Sequence, residues 1–389
     1  MASSRLLCLA VACSAALLSS PALAGGPIRH VFVIAFENHN WTQPKSDDAA
    51  PEQIYGNPAA PYINSLVTPG NPNARQVSYA SAYHNALATP DGKGPHIHPS
   101  EPNYIWSEAG SNLGVHSDRN PFGLFGNNQS TRATLSAELM GAGISWKSYQ
   151  EDIDINLRTN QVLPRSQWTV PLSPRVGIFS HGVNAYNGSN QYGYVPRHNP
   201  QVLFTVTNGG NNPRPSNPLA SHYAPLQQLK ADLASNHVAA YNWITPDLYN
   251  EMHSALDAGF TYHGHHYQGD VAAIAEGDNF TSRIVPMIMA SKAYKDGGLI
   301  ILWWDETEGR NSDDFAHTIP EIIISPDAKG NAYTNHIAYT HSSDLKTMQE
   351  IFQVGPCLRD ACKATDLAAL FRPGTIPQHI PDRPRRARQ

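Results

Sequence analysis

The chain has 389 residues, 41% of them hydrophobic, with 27 Lys and Arg against 32 Asp and Glu. That length and apolar fraction fit one large α/β domain or two small ones, and the slightly acidic balance carries no footprint for nucleic acid. Beyond the N-terminus no segment approaches the roughly 18 apolar residues of a membrane span, so no integral span is expected.

The opening residues carry one Arg, an apolar stretch from Leu6 to Leu18 and the small-residue ending Ala22-Leu23-Ala24. This is the pattern of a secretory signal peptide, cleaved after Ala24, and it predicts a secreted or periplasmic protein. Lipid attachment at Cys13 is the rival reading, and the apolar sequence that continues past Cys13 speaks against it. In chain order the patterns then predict a strand at 29–36, helices at 59–66 and 132–142, strands at 144–150 and 201–206, and a helix at 224–235. A strand at 237–245, a helix at 278–295, strands at 299–304 and 321–326 and a helix at 342–353 follow. Continuous apolar strands alternating with helices predict an α/β fold with a mostly parallel central sheet and helices on both faces. The stretch 151–222, rich in Asn, Gly, Pro, Ser and Tyr, reads as an ordered, loop-rich cap over one edge of that sheet. Cys357 and Cys362 in "GPCLRDACK" predict a short disulfide in an oxidising compartment, metal ligation being the alternative. The Pro-rich basic segment from 372 reads as a solvated or surface-wrapping tail.

Two strands end in a way that a buried strand ordinarily does not. "VFVIAFENHNW" runs from apolar residues straight into Glu37, Asn38 and His39, and "LIILWWDETEG" delivers Asp305, Glu306 and Glu308. Ligand sites of open parallel sheets lie beyond the carboxyl ends of the strands, which places both tips at one crevice. Acids gathered there repel one another unless a cation sits among them, and carboxylates with an Asn carbonyl are hard oxygen ligands suited to Ca, Mg, Mn or Zn. In "HIHPSEPNYIWSEAG", Ser100 followed by Glu101 and Pro102 reads as a helix N-cap, where free N–H groups favour an anion. Among the 18 His, His198 and His253 lie beside other polar strand-end residues, whereas His263, His265 and His266 form a surface-like run; His317 and His341 complete the candidates. The G-x-S-x-G elbow, H-E-x-x-H and the P-loop are absent, which removes the common serine hydrolase, zincin and P-loop readings.

Seven segments, "IRHVFVIAFENHNW", "HPSEPNY", "GISWKSYQE", "YVPRHNPQVLF", "LIILWWDETEG", "IPEIIISP" and "YTHSSDLKTMQEIF", resemble in order the motifs of the bacterial phosphoesterases that include phosphatidylcholine-type phospholipases C and secreted acid phosphatases, within the alkaline phosphatase superfamily. The resemblance implies an alkaline phosphatase-like fold, with residues 25–354 as the catalytic domain and 355–389 as a disulfide loop and tail. It implies that Glu37, Asn38, Asp305 and Glu306 hold a divalent metal, that Ser100 is the nucleophile of a phosphoserine route, and that His198 and His253 complete the catalytic set. Asn103, His98 and His341 would bind substrate. Departures fall at His39-Asn40-Trp41, where the phospholipases usually have Arg-Ser-Phe-Asp-His, at Asn103-Tyr104 in place of Asn-Arg, and at "DDFAH" in place of Asp-His. The leading expectation is therefore an acid phosphatase-like phosphomonoesterase acting on a phosphate ester, with phospholipase C as the alternative. A catalytically inactive binding protein, gripping a glycan or surface partner with its 180–215 loops, and phosphoryl transfer to an acceptor other than water are the remaining readings.

Overall fold

A computed structural model describes residues 27–44, 53–85, 96–119, 121–123, 126–308 and 315–384. The signal segment, Cys13 and the last five residues of the tail lie outside them. The sheet has eight strands: β1 His30–Phe36, β2 Val77–Ala80, β3 Trp146–Gln150, β4 Tyr223–Pro225, β5 Tyr241–Thr245, β6 Gly298–Trp304, β7 Glu321–Ile324 and β8 Tyr333–Asn335. Their spatial order is β8-β2-β7-β6-β1-β5-β3-β4, with β1 and β6 central. Every pairing is parallel except those of β7 with β6 and β2, so β7 alone runs against the rest.

Burial on both faces explains why the central strands are apolar without alternation. Val33, Trp243, Ile301 and Trp303 line one face together with Leu345 and Met348 of the helix His341–Phe352. On the other face Phe36 meets Phe280 of the helix Asp270–Ala290 edge-on at 6.3 Å. Ile34 lies in the centre of this arrangement with no exposed surface. Ile34→Ala is expected to cost about 3–4 kcal/mol of stability, read as a lower urea midpoint at unchanged slope.

Four details depart from the sequence-based expectation. The start of the helix expected over 224–235 is strand β4, paired with β3, and the helix itself runs Gln228–Ala234. Residues 201–206 form no strand; 3-10 turns at Pro200–Leu203 and a short helix Thr205–Asn208 replace it, because Pro200 presets the turn and Gly209 ends the helix at φ 71°. The helix expected over 278–295 starts at Asp270, whose carboxylate suits the first turn, and breaks at Ser291 before a separate turn Lys292–Lys295. Strands β2 and β8 are too short to show an apolar run and join the sheet through long-range pairing alone.

Segment 151–222 is ordered around two hairpins, Ile155–Asn156 with Gln161–Val162 and Arg175–Ile178 with Gln191–Tyr194. The Cys357–Cys362 disulfide is formed. Beyond it Leu367, Leu370, Phe371 and Ile376 are buried, so this part of the chain wraps the body. No helix among the described residues is long and apolar enough to cross a membrane.

Candidate active site

The parallel register of β1 and β6 pairs Phe36 with Trp304, and their rings stack at 4.6 Å. Glu37 and Asp305 therefore leave the sheet side by side. The Asp305 N–H donates to the Phe36 carbonyl at 3.2 Å, and the Asn38 N–H donates to Asp305 Oδ1 at 3.1 Å, which locks the two tips together. Asn38 holds φ at 40°, a left-handed conformation that Asn tolerates better than most residues.

The helix Ser100–Ala109 aims its first turn at these acids. Ser100 is not the capping residue: Pro99 occupies that position, and the Ser100 hydroxyl donates to Glu37 Oε2 at 2.8 Å, with Glu306 Oε1 at 3.4 Å. The buried Glu37 carboxylate captures the hydroxyl, while the Glu101 N–H at the helix start is satisfied by Asp118 Oδ1 at 2.9 Å. One turn on, the Asn103 amide donates to Glu306 Oε2 at 3.1 Å and the Tyr104 hydroxyl to Glu37 Oε1 at 2.6 Å. Glu37, Ser100, Asn103, Tyr104 and Glu306 are all buried.

Burial dominates the electrostatics. It pushes the Glu37 carboxyl up to about 7 and those of Asp305 and Glu306 well above the carboxylate range, because their charged forms lose water and face one another. No Lys or Arg forms an ion pair with any of the three among the described residues; their basic neighbours are His198, His253 and His98. Two oxygens at the centre, Asp305 Oδ2 and Asn38 Oδ1, are buried without a hydrogen-bond partner. Hard, mutually repelling and partly unpartnered oxygens have the chemistry of divalent-cation ligands, but Glu37, Asp305 and Glu306 do not together bring three donor atoms within 4.8 Å of one another. A raised folded pKa means that the folded protein holds more protons than the unfolded chain between the ordinary Glu value and about 7. The chelated protein should therefore lose thermal stability as pH rises through that window, and added cation should flatten the slope. Melting curves with and without chelator check this; identical pH slopes would remove the cation from the cluster.

Two imidazoles close the other side. His198, fully buried, stacks on Tyr104 with ring centroids at 5.3 Å; its Nδ1 lies 2.7 Å from Glu251 Oε1 and its Nε2 3.4 Å from Glu37 Oε1. Although oppositely chargeable, this pair is not held as a full ion pair, since burial pushes the imidazole down and the Glu251 carboxyl up. His253 lies 3.6 Å from Glu37 Oε2 and keeps 26% of its side chain exposed, and the Asn38 amide reaches its Nδ1 at 3.2 Å. His98, at 30% exposure, sits 3.1 Å from Glu306 Oε2.

His341 departs from the expectation of a substrate contact. It is fully buried behind the tips, its Nε2 at 2.6 Å from the Asp305 carbonyl and its Nδ1 at 2.9 Å from the Tyr83 hydroxyl and 3.1 Å from Trp303 Nε1, so it positions Asp305. Glu308 points away from the cluster, toward His39 at 3.4 Å. His263, His265 and His266 lie on and between the strands of the exposed hairpin Phe260–Tyr267. The His317 carbonyl faces His84 Nδ1 at 3.2 Å.

Sequence reasoning passed over Glu251 and Tyr104. The only signal for Glu251 was its place two residues before His253, and Tyr104 showed itself only as a departure from Asn-Arg. Among the described residues, two groups of acids or histidines bring donor atoms within 4.8 Å of one another: Glu37, His198 and Glu251, and Glu151, Asp152 and Asp247. The first shares Glu37 with the expected metal set. In the second, the Asn184 and Asn250 amides and the Asp247 N–H donate to Glu151, tying the cap to the ends of β3 and β5.

A hydroxyl embedded among carboxylates, at the carboxyl edge of a mostly parallel α/β sheet and flanked by imidazoles, defines a hydrolytic enzyme of the ester-cleaving kind. The model of the Phosphoesterase family matches residues 38–355, and the chain belongs to that family. It is a hydrolase acting on phosphoric esters. It is 23% identical over 326 residues to a phosphatidylinositol-3-phosphatase of Mycobacterium tuberculosis, covering 83% of this chain and 76% of that protein. It is 27% identical over 259 residues to a phosphate-repressible acid phosphatase of Penicillium chrysogenum, covering 64% of this chain and 48% of the relative, so the chain spans about half the length of that protein. A solved structure of an alkaline phosphatase superfamily protein from Vibrio parahaemolyticus aligns with a TM-score of 0.47 at 9% identity, over 87% of this chain and 71% of that one.

Proposed function

We propose that the protein is a secreted, metal-dependent phosphomonoesterase that works through a phosphoserine at Ser100. The observation that carries this reading is the Ser100 hydroxyl, held at 2.8 Å from Glu37 Oε2 at the head of a ten-residue helix. Glu37, Asn38, Asp305 and Glu306 would hold the cation, which when bound neutralises phosphate charge and lowers the pKa of a neighbouring hydroxyl. Ser100 Oγ attacks phosphorus in line, and its proton has Glu37 Oε2 as the nearest acceptor. Asn103 fixes Glu306 in place, while at the head of the helix the Glu101 N–H is taken by Asp118 Oδ1 at 2.9 Å and Pro102 has no N–H to offer. Between the two candidate proton donors to the leaving alcohol, His253 is the partly exposed one, while His198 is buried and fixed by Glu251. The phosphoserine is then hydrolysed by water.

Monoesters are favoured over phosphodiesters because both relatives are named as phosphatases. Secretion is supported by the N-terminal pattern and by the Cys357–Cys362 disulfide. The test is turnover of p-nitrophenyl phosphate and of p-nitrophenyl phosphocholine by the purified protein, after chelation and after add-back of Ca, Mg, Mn or Zn. Faster hydrolysis of the monoester, restored by cation, is expected. Preference for the choline diester would replace the reading with phospholipase C, and inertness on both with every cation would end it.

A further inference from the structure

On the cap, the strand Arg175–Ile178 turns Val176 and Ile178, two residues apart and so on one face, into solvent at 56% and 61% exposure. Val183, 58% exposed, follows close behind. The turn of the neighbouring hairpin is fastened to the same place: the His181 N–H donates to the Arg158 carbonyl at 2.7 Å and the Asn160 amide to the Val183 carbonyl at 2.9 Å. Exposed Leu157 and Arg158 thereby join the patch. Four exposed aliphatic side chains gathered on adjoining hairpins are more than the scattered apolar residues of an ordinary surface.

The segment that carries the patch has charge of one sign. From residue 155 to 231 the sequence contains no Asp or Glu, whereas Arg158, Arg165, Arg175, Arg197, Arg214 and Lys230 all fall within it, in a chain whose net charge is -5. Arg165 and Arg197 pair with Asp232 and Asp118, which lie outside that stretch. Exposed Arg158 adjoins the aliphatic residues directly, whereas Arg175, on the opposite face of its strand from Val176 and Ile178, interacts with the buried Asp154. Aliphatic side chains beside Arg158, on a segment that carries basic residues and no acid, match a surface that is apolar below and anionic above.

We infer that the cap docks on an anionic lipid surface through Leu157, Val176, Ile178 and Val183, with Arg158 meeting the head groups. The orientation is useful, because the cap is seated at the carboxyl edge of the sheet: the Leu248 N–H donates to the Gly193 carbonyl at 2.9 Å, and the Asn187 amide to Asn250 Oδ1 at 3.1 Å. Asn250 immediately precedes Glu251, the partner of His198. Docking there brings the catalytic edge toward the interface without using any residue of the active site, and it stands whether or not the phosphomonoesterase reading does.

The test is co-sedimentation of the purified full chain with vesicles of equal parts phosphatidylglycerol and phosphatidylcholine, and with phosphatidylcholine alone. The wild type should bind the anionic vesicles, lose that binding as salt rises, and ignore the neutral ones. Val176→Asp/Ile178→Asp should weaken binding at least tenfold, with Val176→Ser/Ile178→Ser and Arg158→Gln intermediate, while the melting temperature and any hydrolysis of soluble p-nitrophenyl phosphate stay unchanged. Absence of binding, equal binding to both vesicles, or binding indifferent to these substitutions would overturn the inference. So would a concentration-dependent dimer that the double Asp variant abolishes, since the patch would then belong to a second copy.

Discussion

Replacing Ser100 with Ala is expected to lower turnover of a phosphate monoester by about four orders of magnitude or more, while the protein keeps its fold and its cation. The size follows from the role: without the attacking oxygen no phosphoserine forms, and what remains is whatever the cation and the helix end do for water. Retention of the fold follows from the position. Ser100 is the first residue of its helix and does not cap it, Ala suits that site, and Glu37 keeps the Tyr104 hydroxyl at 2.6 Å as a donor. Steady-state rates, bound metal and melting temperature, measured on the same preparations, check the three parts together. A variant that retains more than about one hundredth of the wild-type rate would remove Ser100 from the role of nucleophile. An acid-quenched reaction digested for phosphoserine should show the adduct on the wild type alone.

Asp305→Asn should abolish cation binding and cut activity on the order of 10³-fold, yet raise the stability of the chelated protein. Asp305 Oδ1 accepts the Asn38 N–H, whereas Oδ2 is buried without a partner, so the carboxylate is built for something other than the protein. Burial and the facing Glu37 charge push its carboxyl well above the usual range, and a neutral amide removes that repulsion. Stability and activity are thus predicted to move in opposite directions, an outcome that a merely structural aspartate would not produce. Metal analysis, chelated melting curves and turnover decide it, and an Asp305→Asn enzyme with full activity and metal would place the cation elsewhere, with Glu37, His198 and Glu251 as the next set to test.

Much of this was legible in the sequence for local reasons. A strand such as Val31–Phe36 is apolar at every position because it is covered on both faces, and that pattern survives without knowledge of its partners. The polar tip Glu37-Asn38 and its counterpart Asp305-Glu306 stand out because each interrupts an apolar run with no turn residue, and the order of the motifs carried the family. Ser100 was found as a hydroxyl at a helix start, although its bond to Glu37 in place of a capping bond is tertiary.

What only the tertiary structure decided depends on contacts between segments far apart in the chain. The register Phe36↔Trp304, across 268 residues, puts Glu37 beside Asp305, and no local pattern encodes a register. Glu251, bonded to His198 at 2.7 Å, and Tyr104, bonded to Glu37, become site residues through partners 53 and 67 residues away. His341 was expected to contact substrate, and burial with both nitrogens engaged makes it a support for Asp305. The chain's own chemistry thus chose the residue types and the strand ends, while the folding of those ends onto one edge of the sheet, where burial removes water from every charge, decided which of them act together.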